Sequence, residues 1–430
     1  MSAEVIAVAG GQWGDEGKGK VVDQLAQGAT VVVRAQGGDN AGHTVVNGKG
    51  MFALNLIPAG IFNPKTINIL GQGTVVNAAG LIREMAALHE RGISTSNLRI
   101  SPKAHLVFEY HQLEDGHEEN SKGAQAIGTT KRGIGPAYAD KANRVGIRAE
   151  DLADPEECLG KIARVLKNKR GYHPDLANSP QFDPGYYENL LGEAQHVLTP
   201  LVMETSEFLY RHITGSNGRV LIEGAQGTLL SVDDGTYPMV TSSNTTINGL
   251  LAGAGIGARW LTQAIGVFKA YQTRVGGGPM PTERFDEGAD RLRKSAHEFG
   301  VVSGRPRRLG WFDGVAAGQS QYVNGFTDIV ITRLDNLSCM GDLMVCNSYI
   351  LDGKEIHHIP SNLRDFERCQ AAYGNEDCYP GWNEDLAGIT DLNDLPEKAR
   401  KYVLGIVATI PDARLMAIGN GQRREDLVFA

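Results

Sequence analysis

Short apolar runs rich in β-branched residues recur along the chain, and each leads into a loop rich in glycine or polar residues. They occupy residues 5–9, 30–33, 220–222 and 328–332, and the loops after them begin GGQWGDEGKGK, RAQGGDNAGHT, EGAQGT and RLDNL. Runs of this length and composition are typical of buried strands. In parallel sheets ligands bind beyond the carboxyl ends of the strands, so these loops are predicted to form a site.

Helix-like apolar spacing lies between the predicted strands, at residues 80–90, 154–168 and 192–211, with Pro200 interrupting the last segment. The alternation predicts an α/β fold with a mostly parallel central sheet and helices on both faces. We expect one domain over residues 1–430 with long loop insertions. Residues 171–187, rich in Pro, Asn and Tyr, are predicted to form an irregular surface excursion.

Composition narrows the range of functions. The 430 residues are 41% hydrophobic and carry a net charge of −8, which disfavours nucleic acid as a partner but leaves room for local basic clusters and small anions. The start of the chain lacks a basic, apolar leader, and no apolar run is long enough to span a bilayer. Five cysteines, an odd number without a CxxC pair, predict reduced thiols and a cytoplasmic protein.

A glycine-rich turn follows the first predicted strand, at residues 10–20, and runs into a helix-forming segment. Such a turn offers unpaired N–H groups and the positive end of a helix dipole to a phosphate, and Lys18 adds a positive charge. The spacing differs from a Walker A motif, because five residues separate Gly11 from Gly17 and no Ser or Thr follows the lysine. Asp15 is a natural replacement for the missing metal-binding hydroxyl. These features predict a phosphate loop and a P-loop-NTPase-like fold.

A histidine follows the second predicted strand in the string QGGDNAGHT, residues 36–44. An isolated histidine is more often packed or solvated than catalytic. Because His43 lies next to the string GGDNAG and shortly after the phosphate loop, we interpret it as a candidate catalytic residue.

The string GQWGDEGKGK resembles the signature of adenylosuccinate synthetases, and QGGDNAGHT resembles a second motif of that family. The similarity runs from Ala3 to about Asp335. It implies a GTP-dependent ligase that condenses IMP with L-aspartate through 6-phosphoryl-IMP, giving adenylosuccinate, GDP and phosphate on the route to AMP.

The resemblance also implies roles for individual residues. Asp15, His43 and Lys18 are implied as catalytic, and Asp15 with the Gly42 carbonyl as ligands of Mg²⁺. The implied GTP-binding residues are Glu16, Gly17, Lys18, Gly19, Lys20, Gly42, Thr44, Arg307, Arg333, Asp335 and Gly419. The implied IMP-binding residues are Asp15, Asn40, Thr130, Arg144, Gln226, Thr241, Val275 and Arg305, and the implied aspartate-binding residues are Val302, Ser303 and Arg305. In the family the residue matching Arg144 enters the partner subunit's IMP site, which implies a homodimer.

Three positions depart from the family pattern. Val302 replaces one of two hydroxyl residues in the aspartate loop, and Arg333 replaces a lysine in the guanine-reading segment. Ala417 replaces a serine in a C-terminal segment that otherwise keeps Gly419. Two alternatives therefore stay open at this stage: a related ligase that uses another nucleoside triphosphate or amine donor, and a nucleotide-binding regulatory protein without turnover.

We expect Asp335 to select GTP over ATP, because its carboxylate can accept hydrogen bonds from the guanine N1–H and 2-amino groups, which adenine does not supply. Asp335→Ala or Asp335→Asn should therefore erode the preference. Steady-state rates with GTP and with ATP measure this directly. Unchanged GTP selectivity in both variants would contradict the assignment.

Overall fold

The computed structural model describes residues 3–123, 126–299 and 306–430. Within these ranges the strands, in chain order, are β1 (Glu4–Gly10), β2 (Val31–Gly37), β3 (His43–Asn47), β4 (Gly50–Leu54), β5 (Ile67–Asn77), β6 (Leu98–Ile100), β7 (His105–Val107), β8 (Arg219–Glu223), β9 (Gln263–Lys269), β10 (Gln272–Arg274), β11 (Arg308–Gly310), β12 (Phe312–Asp313), β13 (Asp328–Thr332), β14 (Leu343–Cys346), β15 (Ser348–Leu351), β16 (Lys354–Ile356), β17 (Gln370–Ala372), β18 (Cys378–Tyr379), β19 (Arg414–Gly419) and β20 (Leu427–Phe429). The helices are α1 (Lys18–Leu25), α2 (Ala78–Glu90), α3 (Glu109–Ser121), α4 (Ile134–Ala142), α5 (Pro155–Tyr172), α6 (Glu188–Leu198), α7 (Thr205–Gly215), α8 (Ile247–Ala254), α9 (Glu287–Ser295), α10 (Gly314–Asn324), α11 (Leu363–Arg368) and α12 (Glu397–Ala408).

The central sheet has the strand order β20-β19-β13-β9-β1-β8-β2-β5-β6, with β7 also paired to β5. Its pairings are parallel except for β19 with β20. The predicted strands all form, and because β1, β2, β8 and β13 run parallel, the four loops after them leave at one edge. The mostly parallel sheet is thereby confirmed.

Two apolar layers cover the two faces of the sheet. Along β1, Ile6 and Val8 belong to one layer, whereas Val5 and Ala7 belong to the other. Helices α1, α2, α5 and α6 contribute to the first layer, and α7, α8 and α12 to the second. Strands that are buried on both faces have continuous apolar sequences instead of alternating ones, and this is why the apolar runs predicted the strands correctly.

The predicted helices form, with one division. Residues 192–211 fall in two helices, α6 and α7, separated by a 3₁₀ turn at Thr199–Leu201. Pro200 lies in that turn, where its missing N–H costs no helical hydrogen bond. No helix within the described ranges is long and apolar enough to cross a membrane.

The segment 171–187 is irregular, as predicted, but it is anchored in the core. It forms three short 3₁₀ turns in which Phe182 and Tyr187 are fully buried. The Tyr187 hydroxyl accepts the N–H of Tyr110 at 3.1 Å and donates to the Gln181 carbonyl at 2.7 Å. The prediction of a surface excursion was therefore wrong for Phe182 and Tyr187, whereas Tyr172 and Tyr186 are exposed.

Candidate functional site

The phosphate loop joins β1 to α1 and depends on backbone conformations that favour glycine. Gly14 and Gly17 have φ of 88° and 85°, and Gly17 caps α1 without a side-chain hydrogen bond to the helix. A Cβ at Gly11 would run into the ring of Phe268. The first N–H groups of α1 are thus free of a capping side chain and suit an anion.

Glu16 holds this loop from the inside. Its carboxylate is fully buried and accepts the N–H groups of Gln12 at 3.1 Å and Gly14 at 2.9 Å. It also pairs with the Lys18 ammonium at 2.5 Å. Lys18, expected to be a mobile charge for phosphate, is therefore engaged by Glu16 in this structure, and the side chain of Glu16 faces the loop itself.

Asp15 lies on the rim of the loop with φ of 60° and a side chain that is 36% exposed. Its Oδ2 pairs with Nη2 of Arg307 at 2.9 Å, and Nη1 of Arg307 pairs with Glu298 at 2.6 Å. The structure thus brings together two of the predicted site residues, Asp15 and Arg307, which are almost 300 positions apart in the sequence. Glu298 was not anticipated.

His43 opens β3, and its ring lies against the other end of the same loop. A Cβ at Gly19 would be 3.0 Å from the ring, so glycine permits this approach. Neither ring nitrogen has a hydrogen-bond partner among the described residues, and Nε2 is 3.7 Å from Oε1 of Glu223. Glu223 in turn pairs with Arg34 at 2.6 Å. Gly42 and Thr44 flank His43 in the chain.

Burial lowers the pKa of His43 to about 4, and the nearby positive charges of Arg34 and Lys18 act in the same direction, while Glu223 opposes them. His43 is therefore neutral near pH 7 in this ligand-free structure. Sequence reasoning missed Glu223 and Arg34, although both are ionisable residues at the carboxyl ends of predicted strands, which was the available signal.

Several residues predicted to bind IMP lie close to one another. Gln226, with φ of 54°, donates from Nε2 to Oδ1 of Asn40 at 3.3 Å. Segments 127–128 and 276–277 touch, since a Cβ at Gly128 would be 3.3 Å from the Cα of Gly276. This contact brings the neighbourhoods of Thr130 and Val275 together.

The other residues predicted to bind IMP differ in exposure. Thr130 and Val275 are exposed, and Thr241 is half-buried, with its N–H donated to the Leu230 carbonyl. Glu119 accepts the N–H groups of Ile127, Gly128 and Thr129 and so holds the threonine segment from behind. Arg144 is exposed at the end of α4 with φ of 64°.

The predicted base-reading residues converge around Lys20 of α1. Its Nζ donates to the Gly421 carbonyl at 2.8 Å, and a Cβ at Gly419 would be 2.7 Å from Nζ. Burial lowers the pKa of Lys20 to about 8, against the opposing charges of Asp335 and Asp426. Arg333, at the end of β13 with φ of 61°, donates to the Ala296 carbonyl at 3.2 Å. Val302, Ser303 and Arg305 lie outside the described residues.

Comparison with known proteins identifies the family of this chain. A family model described as adenylosuccinate synthetase matches residues 7–428. The chain is 45% identical over 426 residues to the adenylosuccinate synthetase of Carboxydothermus hydrogenoformans, covering 99% of this chain and 98% of that protein. It also matches the solved structure of a fully ligated adenylosuccinate synthetase from Plasmodium falciparum, with a TM-score of 0.92 and 34% identity over all of both chains.

A more distant structure shares the fold alone. The succinoaminodeoxyadenylate synthetase of cyanophage S-2L, bound to dGMP and dATP, gives a TM-score of 0.63 at 19% identity, covering 100% of this chain and 96% of that chain.

A mostly parallel α/β sheet whose edge carries a glycine-rich loop at a helix N-terminus, a half-buried histidine and clustered basic residues is typical of enzymes that bind nucleoside phosphates. Within that class, the chain belongs to the adenylosuccinate synthetase family. Its reaction is the GTP-dependent ligation of IMP with L-aspartate, a step of AMP biosynthesis.

Because the pKa of His43 in the folded protein, about 4, lies below its ordinary value of 6.5, protonation of His43 opposes folding. Its contribution to stability is complete above pH 6.5 and is lost as the pH falls through 4. We expect the free energy of unfolding to fall less steeply with acidification in His43→Gln than in the parent protein. A histidine NMR titration of the ligand-free protein should place the His43 midpoint near 4, and a midpoint above 6 would contradict this.

Proposed function

We propose that Asp15 and His43 catalyse the ligation as base and acid on one purine oxygen beside a triphosphate held by the phosphate loop. The observation that carries this proposal is that both side chains border one short loop. Asp15 forms its outer rim, and His43 packs against Gly19 at the start of the helix. An anion at the loop therefore lies within reach of both side chains.

The chemistry requires this pair. The 6-oxygen of IMP is amide-like, so it is a poor nucleophile and a poor leaving group. In the first step the Asp15 carboxylate takes the N1 proton, O6 attacks the γ-phosphorus of GTP, and the bond to the leaving GDP oxygen breaks. In the second step the amine of aspartate attacks C6, the C6–O6 bond breaks with release of phosphate, and the amine loses a proton.

The acid role of His43 depends on bound substrate. Alone, the imidazole is neutral, because burial and nearby positive charges disfavour its cation. Phosphate oxygens placed beside it would raise its pKa, since an opposite charge within a few ångströms favours the charged form. Protonation of His43 is thus coupled to the arrival of the nucleotides, and its N–H is then directed at the charge that develops on O6.

We assign GTP and its metal to the phosphate loop and to the Lys20 cluster, which comprises Lys20, Arg333, Asp335 and Gly419. Lys18 exchanges Glu16 for phosphate oxygens, while Asp335 accepts from the guanine edge. Asp15 and the Gly42 carbonyl offer the hard oxygen donors that Mg²⁺ prefers, and the partly exposed Asp15 carboxylate is accessible to a cation. Mg²⁺, when bound there, neutralises phosphate charge. The other proposed GTP contacts are Glu16, Gly17, Gly19, Thr44, Arg307, Arg333 and Gly419.

The other predicted site residues are assigned to the binding of IMP and aspartate. We assign the IMP base and phosphate to Asn40, Gln226, Thr130 and Thr241, with Val275 against the ribose. Arg305 bridges IMP and the aspartate carboxylates, since guanidinium pairs with carboxylate through two parallel hydrogen bonds. Val302 and Ser303 complete the proposed aspartate-binding residues.

We further propose a cytoplasmic homodimer of single-domain subunits. One sheet includes strands from both ends of the chain, β1 and β20, which supports a single domain. All five cysteines are free thiols, as a reducing compartment requires. Arg144 is exposed at the surface, where it can enter a partner's IMP site.

Asp15→Asn and His43→Asn should each lower kcat by about 100-fold or more, since each removes a proton-transfer group. Adenylosuccinate formation from IMP, GTP, aspartate and Mg²⁺ is the measurement. Asp175→Asn and His196→Asn, at exposed positions, are matched controls that should retain the parent rate. Turnover above a tenth of the parent rate in either site variant would overturn its role. Binding of GTP and IMP by the parent protein without product would favour a regulatory protein.

If Arg144 completes the partner's site, two inactive variants should complement each other. In an equal mixture of Asp15→Asn and Arg144→Leu subunits, half of the dimers are hybrids, and one of the two sites in each hybrid is intact. We expect about a quarter of the parent activity after subunit exchange, by that counting. No recovery in a mixture shown to contain hybrid dimers would exclude the shared site.

A further inference from the structure

Glu298 is a buried carboxylate at the centre of a charged cluster that the proposed chemistry leaves unused. It follows α9 and has no exposed surface. Its Oε1 accepts from the Lys269 ammonium at 2.9 Å and from the Tyr271 hydroxyl at 2.8 Å. Its Oε2 accepts from Nη1 of Arg307 at 2.6 Å. Both carboxylate oxygens of Glu298 therefore accept hydrogen bonds.

The cluster keeps Glu298 charged. Burial by itself would raise its pKa, but Lys269, Arg333 and Arg307 outweigh burial and hold the pKa at about 2. A buried carboxylate with this many donors is fixed in orientation, because any rotation would leave a charged group without a partner. The Glu298 carboxylate is thus held in one orientation by its hydrogen-bond donors.

Glu298 also fastens Arg307 through the backbone. The N–H of Arg307 donates to the Glu298 carbonyl at 3.0 Å, and Phe299 forms an antiparallel bridge with Pro306. Glu298 therefore holds Arg307 at two places: its carbonyl binds the Arg307 N–H, and its carboxylate binds the guanidinium group. The second guanidinium nitrogen of Arg307 is left to pair with Asp15 at 2.9 Å.

The same carboxylate reaches the other parts of the site. Lys269 exchanges backbone hydrogen bonds with the side chain of Gln12 in the phosphate loop, at 2.8 and 3.2 Å. The Tyr271 hydroxyl accepts from Asn336, next to Asp335, at 3.3 Å. Glu298 is accordingly the point where the phosphate loop, the base-reading segment and Arg307 are connected.

We propose that Glu298 is a positioning residue for the ligation, which sets Arg307 against Asp15 and transmits the placement of the phosphate loop to it. It touches no reacting atom. This inference rests on the proposed roles of Asp15 and Arg307, and it adds a residue that those roles do not include.

Glu298→Gln tests the proposal with little change of shape. The amide oxygen can still accept from Lys269 and Tyr271, but the amide nitrogen then faces Nη1 of Arg307, donor against donor. We expect kcat/KM for GTP to fall about tenfold or more, since Arg307 is a proposed GTP contact and small misplacement of a positioning group has large effects on rate. Direct IMP binding should stay within about twofold of the parent value, because the side-chain hydrogen bonds of Asn40 and Gln226 within the described residues involve none of these groups.

A double-mutant cycle identifies the route of the effect. If Glu298 acts through Arg307, then Arg307→Gln and the double variant E298Q/R307Q should have equal kcat/KM, within about twofold. Independent, multiplicative losses would overturn the proposal, because they would mean that Glu298 acts elsewhere.

Two further variants separate positioning from folding. Lys269→Met with Glu298→Met replaces the buried ion pair by apolar side chains, which is often neutral or stabilising. We expect its Tm to exceed that of Glu298→Gln while activity stays low. Recovery of activity together with Tm would mean that Glu298 is only structural. Asp313→Asn alters another fully buried carboxylate, bonded to Tyr349, and should leave kcat and KM unchanged.

The outcomes distinguish this inference from the proposed function. An active parent protein with a Glu298→Gln variant of parental kcat and KM would overturn the role of Glu298 alone. A parent protein that forms no adenylosuccinate would overturn the proposed mechanism as well.

Discussion

The parallel pairing of β1 with β8 on one side and β9 on the other is the constraint on which the whole site depends. Val8 lies opposite Glu223 in the first pairing, and Gly10 lies opposite Val267 in the second. Because side chains alternate between the two apolar layers, a slip of one residue would move every buried side chain of β1 to the wrong face. The packing therefore fixes the register, and the parallel pairing of β8 with its other neighbour, β2, places Arg34 opposite Glu223.

Buried carboxylates, each paired with a basic residue, stabilise the loops that follow the strands of the sheet. Glu16, Glu223 and Glu298 are each almost fully buried, and each is paired with at least one lysine or arginine. Unpaired, such groups would be strongly destabilising, so the loops are held in the conformations that satisfy them. The result is a set of loops held in place by charge pairs in the ligand-free protein, from which Lys18 must leave Glu16 to reach a phosphate.

The departures from the family pattern fall in different surroundings. Arg333 remains within the Lys20 cluster, where its charge acts on its neighbours. Ala417 is fully buried in β19, opposite Val330, and packs in the first apolar layer. A missing hydroxyl at position 417 thus changes a core position of the sheet, whereas Gly419 still borders Lys20 at the edge where ligands bind.

The sequence alone determined the central strands, most helices, the glycine-rich turn between β1 and α1, and the family. These features are local: apolar runs, glycine spacing and short motifs are properties of neighbouring residues, so they can be read without coordinates. The same reasoning failed for Phe182 and Tyr187, because whether an aromatic residue in an irregular segment finds a core depends on distant helices.

Only the tertiary structure decided which charges meet. Arg307 reaches Asp15, Glu298 reaches Lys269, and Glu223 lies beside His43, each pair brought together by folding from separate parts of the chain. The neutral state of His43 has the same origin, since burial and neighbouring charges set its pKa and neither is a property of a histidine in a sequence. Electrostatic interactions act across space, and the sequence specifies them only once the sheet has fixed the positions of the loops.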